Sequence, residues 1–151
     1  RRIQQHLGEL SSIELSSSGT QLLTSSKDNS VRLWDVRSAK PLRSFKGHQN
    51  TCKNFVRARF GPGKAHVMSG SEDGHVLIWD LESGNVSQRL LGHTDVTFDA
   101  VWNPELALLA TCSNDCTVRT WCYDRNAPPR DGGEMDDPWM QWQYMNLGKG
   151  G

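Results

Sequence analysis

Apolar residues fall at every second position in short runs along most of the first 123 residues, which predicts strands with one buried side. Leu10, Ile13 and Leu15 form one such run, and Val31, Leu33 and Val36 surround Trp34 in another. Phe55, Ala58 and Phe60 predict a third strand, and Val76, Ile78 and Leu81 flank Trp79 in a fourth. Thr97, Ala100 and Trp102 give a weaker run, and Val118 sits beside Trp121. Turn formers separate the runs: Ser17-Ser18-Gly19, Gly61-Pro62-Gly63 and Asn103-Pro104. Asp73-Gly74 suits a tight hairpin because glycine tolerates positive φ. No long helical period occurs before residue 137.

The runs repeat. Trp34, Trp79 and Trp121 lie 45 and 42 residues apart, and His6, His48 and His93 precede them by 28, 31 and 28. Asp28, Asp73 and Asp115 each stand six residues before their Trp, and Thr24, Ser69 and Thr111 each stand ten before it. Two of the His follow Gly (Gly47-His48, Gly92-His93), and two of the Trp precede Asp (Trp34-Asp35, Trp79-Asp80). A fixed period of this length is the mark of a stacked repeat architecture.

Gly-His followed by Trp-Asp at this period resembles the WD40 repeat of β-propellers, and "SSKDNSVRLWD" and "SGSEDGHVLIWD" stand close to that pattern. The resemblance covers residues 1–123, with units at about 1–40, 41–85 and 86–123. It implies an all-β fold: a partial WD40 propeller of about three four-stranded blades with an irregular C-terminal tail. Residues 1–5 would be the outer strand of a preceding blade, and 41–46 and 86–91 would be outer strands between the units. Departures are few. Gln5 replaces the Gly before His6, and Cys122 replaces the Asp after Trp121. No outer strand is expected after the third unit, as at the end of a propeller.

Propellers have four to eight blades, and each blade buries its faces on its neighbours. Three blades leave two open faces. The expectation is a C-terminal piece of a longer propeller, with self-association of chains as the alternative; the first residue, Arg1 rather than Met, points the same way.

The resemblance assigns the recurring polar residues to a hydrogen-bonded tetrad in each blade: His6/Thr24/Asp28/Trp34, His48/Ser69/Asp73/Trp79 and His93/Thr111/Asp115/Trp121. The chemistry is consistent, since a buried indole N–H needs an acceptor and a hydroxyl can accept and donate at once. Hydroxyl, His and Asp are also the parts of a nucleophilic triad. Three copies, each with a Trp, and the lack of a Gly-x-Ser-x-Gly elbow, favour structure over catalysis. No catalytic, metal or cofactor site is predicted. Cys52, Cys112, Cys116 and Cys122 lack paired zinc spacing, and Gly61-Pro62-Gly63-Lys64 lacks the phosphate-loop spacing. His66 and His75 are expected to be solvated, in a loop and near a turn.

Function is then expected on the loops. The resemblance puts the Gly-His loops and the Asp turns on one face. The candidates there for protein binding are Lys27, Gln49, Asn50, Lys53, Glu72, Asp95 and Asn114, with Leu7, Glu9 and Thr94 beside them. The three extra residues of unit two fall between His48 and Phe55, so 50–54 should be the most distinctive protrusion. Trp34-Asp35-Val36-Arg37 also resembles the Trp-Asp-x-Arg pattern of propellers that dock on the adaptor of cullin-4 ubiquitin ligases.

Composition narrows the classes. Lys plus Arg and Asp plus Glu number 17 each, so net charge is zero and no basic stripe calls for nucleic acid. No run approaches a membrane span, no signal peptide is visible, and the cysteines are too few for a disulfide scaffold. An intracellular chain, cytoplasmic or nuclear, is expected. The tail, 124–151, is expected to be mostly disordered, with a short helix at 138–147 opened by Asp137-Pro138. The function expected is a non-catalytic protein–protein interaction scaffold. The alternative is a substrate receptor of a cullin-4 type ligase, docking through Arg37. The partners would be proteins or peptides, together with further blades.

Overall fold

A computed structural model describes residues 2–123 and 142–145. Twelve strands occur among them, arranged as three four-stranded antiparallel sheets in which sequence neighbours pair. The first blade is β1 (Leu10–Leu15), β2 (Gln21–Ser26), β3 (Ser30–Asp35) and β4 (Pro41–Phe45). The second is β5 (Ala58–Phe60), β6 (His66–Gly70), β7 (Val76–Asp80) and β8 (Val86–Leu90). The third is β9 (Thr97–Asn103), β10 (Leu108–Ser113), β11 (Val118–Tyr123) and β12 (Trp142–Met145). One 3-10 turn, Pro62–Lys64, joins β5 to β6, and there is no α-helix among the described residues.

Register follows the repeat. Thr24 faces Arg32 across β2–β3, Ser69 faces Leu77 across β6–β7, and Thr111 faces Arg119 across β10–β11. Outer strands β4 and β8 occupy the positions the repeat predicts, each after a bulge at the blade's Trp.

Two cores lie between blades rather than inside them. Leu23, Val31, Leu33 and Phe45 of the first blade pack on Ala58, Val67, Leu77 and Trp79 of the second. Met68, Val76, Ile78 and Leu90 of the second pack on Ala100, Leu109 and Trp121 of the third. A strand's alternation supplies both: Leu77 and Trp79 point to one neighbour, Val76 and Ile78 to the other, as buried strands with two covered faces must. The approach is close. A Cβ on Gly70 would sit 2.1 Å from the Thr97 carbonyl oxygen of the next blade, so only glycine fits there.

The outer blades keep uncovered faces. Trp79 and Trp121 each pack on the blade before them, but Trp34 has none. With Ile3, Leu15, Leu22 and Val36 it lines an open cleft of about 450 Å³. Leu10, Ile13 and Leu15 on β1 are more than half exposed, as are Val101 and Val118 on the third blade.

Two expectations are corrected. Residues 2–9 contain no strand, although 1–5 was expected to be one. An outer strand needs a preceding blade's third strand to pair with, and the described residues hold none; Ile3 instead lines the cleft. The third blade does have an outer strand, and the described part of the expected helix 138–147 supplies it. β12 pairs antiparallel with β11, with Trp121 opposite Tyr144 and Tyr123 opposite Trp142. An unpaired strand edge offers a row of backbone partners that a lone short helix cannot match, and aromatic residues suit strands. The rest of the tail, and the disorder expected in it, lie outside the described residues.

Candidate functional site

The loops entering each blade and the turns between its second and third strands meet at one end of the sheets. The tetrads sit beneath them. In the first blade the Trp34 indole N–H donates to Thr24 Oγ1 at 2.8 Å. His6 Nε2 lies 2.8 Å from the same hydroxyl, and His6 Nδ1 lies 3.0 Å from Asp28 Oδ2. An ionised carboxylate can only accept, so Nδ1 carries the proton and the Thr24 hydroxyl donates to Nε2. Asp28 also accepts from the Leu7 amide and the Ser30 hydroxyl. Burial pushes its carboxyl up, but the bonds from Ser30, the Leu7 amide and His6 outweigh burial and hold it well below its ordinary value.

The third blade repeats this atom for atom. Trp121 Nε1 donates to Thr111 Oγ1 at 3.0 Å, His93 Nε2 meets that hydroxyl at 2.8 Å, and His93 Nδ1 meets Asp115 Oδ2 at 2.8 Å. The Thr94 amide and the Thr117 hydroxyl complete the Asp115 shell. There too burial raises the carboxyl and the hydrogen bonds, Thr117 and His93 foremost, bring it well down.

The second blade breaks the pattern. The tetrad expected from His48, Ser69, Asp73 and Trp79 does not form. Trp79 Nε1 donates to the Lys46 carbonyl at 2.9 Å, and Ser69 Oγ donates to the carbonyls of Arg57 and Gly70. Asp73 is exposed and lies 2.9 Å from His75 Nδ1. His48 is buried edge-on to the Trp79 ring, with neither ring nitrogen hydrogen-bonded. Desolvation pushes it down to about 4, against the pull of Asp28, Asp73 and Glu72, so it is neutral at pH 7.

The difference between the blades starts at one position. Two residues after the turn Asp, blades one and three carry Ser30 and Thr117, small hydroxyls that bridge Asp and His. Blade two has His75 there, which occupies the carboxylate itself. Ser69 replaces Thr, and the loop after His48 is longer. His75 is thus not simply solvated, and His66 belongs to β6 rather than to a loop.

The candidate loop residues divide. Asn50, expected on a protrusion, is fully buried. Its Nδ2 donates to Ser11 Oγ, Ser25 Oγ and the Ser26 carbonyl at 2.9, 3.2 and 3.1 Å, and its amide donates to Asn29 Oδ1 at 2.7 Å. It is a plug between blades one and two, its two Nδ2 protons shared among three acceptors of the first blade and its Oδ1 left without a partner. Glu72 folds back on the long loop and accepts from the Thr51 amide and hydroxyl and the Cys52 amide. Lys27 pairs with Glu9 at 3.0 Å and lies 5.1 Å from the Phe55 ring centre. Asp95 accepts from the Asn114 side chain at 2.7 Å. Gln49, Lys53, Asp95 and Asn114 are exposed.

Other features were not read from the sequence. Asp99 on β9 binds Arg59 of β5 through two bonds of 3.1 and 2.9 Å, and Glu14 of β1 accepts the Phe60 amide. These cross-links join the innermost strands. Arg59 and Asp99 stand at odd positions of polar alternation, which marks a face but not a partner. Cys52, Cys112 and Cys116 are exposed thiols and Cys122 is half-buried, all free. No group of metal-binding side chains occurs among the described residues, and none of their helices could cross a membrane.

Three stretches, residues 1–35, 39–80 and 84–122, match the family model described as WD domain, G-beta repeat. Among curated proteins, the Denticleless protein homolog of Gallus gallus is 33% identical over 115 residues, covering 74% of this chain and 16% of that protein. The Homo sapiens Denticleless protein homolog is 30% identical over 128 residues, 82% of this chain and 17% of its own length. A WD repeat-containing protein 26 homolog of Arabidopsis thaliana is 34% identical over 119 residues, 77% of this chain and 20% of its own. The chain thus spans about a sixth of the length of the Denticleless relatives it matches.

Proposed function

This chain belongs to the WD40 repeat family, and from that premise we propose that it is a non-catalytic interaction scaffold whose loop ends hold proteins or peptides in a multiprotein assembly. The observation that carries this reading is the use made of the hydroxyl–His–Asp sets. In two blades the hydroxyl accepts the Trp indole and donates to His, and Thr24 and Thr111 are buried, so neither offers a nucleophile to solvent. Gln49, Lys53, Asp95 and Asn114 are among the loop residues that stay exposed, and binding is what such loops do. The open faces on the first and third blades fit further blades or a second copy. The test is native size-exclusion of cell extract with quantitative mass spectrometry. Replacing Gln49, Lys53, Asp95 and Asn114 together by oppositely charged or bulky residues should remove at least one co-eluting protein. An unchanged set of co-eluting proteins overturns the loop-face reading.

A second reading has its own observation. Arg37 is exposed in the turn after β3, at the opposite end of the blade, where it helps line the apolar cleft beside Trp34. Asp35 accepts the Ser38 amide at 2.6 Å, which fixes that turn. An adaptor of a cullin-4 type ligase could dock there. Arg37→Ala should then abolish adaptor pull-down, and retained pull-down refutes the reading.

A further inference from the structure

Blades one and two deliver the chain to their outer strands through the same braced turn. Asp35 Oδ1 accepts the Ser38 amide at 2.6 Å, the Asp35 amide donates to the Lys40 carbonyl at 3.0 Å, and the Asp35 carbonyl accepts the Ala39 amide at 2.8 Å. Asp80 repeats this with Ser83 at 2.6 Å, Asn85 at 3.0 Å and Gly84 at 2.9 Å. Five residues therefore suffice between β3 and β4, and five between β7 and β8. Each outer strand then reaches the start of its partner, with Phe45 opposite Val31 and Leu90 opposite Val76.

Blade three lacks this device. Cys122 stands where Asp35 and Asp80 stand, and a thiol is too weak an acceptor to build the turn. The outer strand β12 arrives only after the 18 residues 124–141. By chain length alone, its local concentration at the edge is about sevenfold below what a five-residue connection gives. Its pairing has no bulge, unlike that of β4 and β8, and it starts at Thr120. No described residue stands opposite Val118, the counterpart of Val31 and Val76. Val118 is 73% exposed, whereas Val31 and Val76 are fully buried. What holds β12 is four residues of main-chain pairing, with Tyr144 opposite Trp121 and Trp142 opposite Tyr123. Main-chain bonds are indifferent to which chain supplies them, and the alternate side chains give selectivity.

We propose that the outer edge of β11 is a strand-addition site for an extended segment of a partner protein with aromatic residues at alternate positions, and that Trp142–Met145 is its tethered occupant. The chain's own tail strand defines the chemistry the edge accepts. A partner segment that continues past the level of Met145 gains the Val118 end of the edge as well. The site lies on a strand edge and not on the loop ends, so it goes beyond the loop-face reading, and either stands without the other.

The probe is a fluorescein-labelled peptide with the sequence of residues 139–147, measured by anisotropy on the whole chain carrying Cys52→Ser, Cys112→Ser and Cys116→Ser. Gln143→Cys adds a thiol opposite Cys122, so oxidation fixes the tail strand on the edge. The oxidised form should lose peptide binding, and reduction should restore it. Gln143→Pro with Tyr144→Pro removes two adjacent amide donors and frees the edge, and should tighten peptide binding at least about tenfold. A peptide carrying the same two prolines should bind neither form, which separates edge pairing from adhesion to the uncovered blade faces. Equal binding by the oxidised and reduced forms overturns the proposal, as does a double-proline variant that binds no better than the unaltered tail.

Discussion

Replacing the turn aspartate of each blade should have unequal effects although the repeat makes the three look alike. In blade three Asp115 accepts from His93 Nδ1, the Thr94 amide, and the Thr117 amide and hydroxyl, at 2.8, 3.1, 2.9 and 2.6 Å. Asp115→Ala removes the 2.8 Å acceptor of the buried imidazole N–H and leaves it only the Thr117 hydroxyl at 3.3 Å, which costs about 1–3 kcal/mol. The exposed donors can turn to water, so releasing the loop adds only about 1 kcal/mol. The total is about 2–4 kcal/mol. In blade two Asp73 accepts from the His75 amide at 3.2 Å and contacts its ring, both partly exposed. The amide of Gln49, which follows His48, goes to Ser71 Oγ instead. Asp73→Ala should therefore cost under about 1 kcal/mol. Urea unfolding at pH 7, followed by tryptophan fluorescence with the slope held common, gives both numbers. Equal losses for the two variants would refute the broken tetrad, and with it the account of why His48 is unpartnered.

Acid should act on the same blade. His48 is held near 4 in the folded chain against about 6.5 unfolded, so stability is complete above pH 6.5 and falls as pH drops from 6.5 toward 4. About 2 kcal/mol should be lost between pH 7 and pH 5 by this group alone, and a His48→Gln variant should show a correspondingly flatter profile in chemical denaturation; identical profiles sink the assignment. The uncovered faces carrying Leu10, Ile13, Leu15, Val101 and Val118 should associate in the isolated chain. Light scattering should give at least twice 16.9 kDa, and a clean monomer would show that those faces are tolerated in water.

The spacing of Trp, His, Asp and Ser/Thr was enough to mark three repeating units, and the resemblance it carries located β4 and β8, because a blade's hydrogen-bond ladder and its alternating side chains are both short-range properties of the chain. The resemblance to the WD40 repeat grouped Thr24 with Trp34 and Thr111 with Trp121, each pair two residues off direct register across its hairpin. The loop ends were less legible. Asn50 looks like any polar loop residue until blade one brings Ser11, Ser25 and Ser26 to it, and Glu72 looks like a free surface acid until the loop returns its amides.

The amino-acid sequence alone carried the fold class and the period, through local pattern and strand pairing, while the tetrads entered only through the family resemblance. Only the tertiary structure decided the rest. It decided that His75 displaces His48 from Asp73, because the outcome turns on competition for one carboxylate between residues 27 positions apart. It decided that Trp142–Met145 forms a strand rather than a helix, because the open edge of β11 supplies partners that no local segment contains. It left Phe55 59% exposed, because among distant residues only Lys27 is placed against its ring.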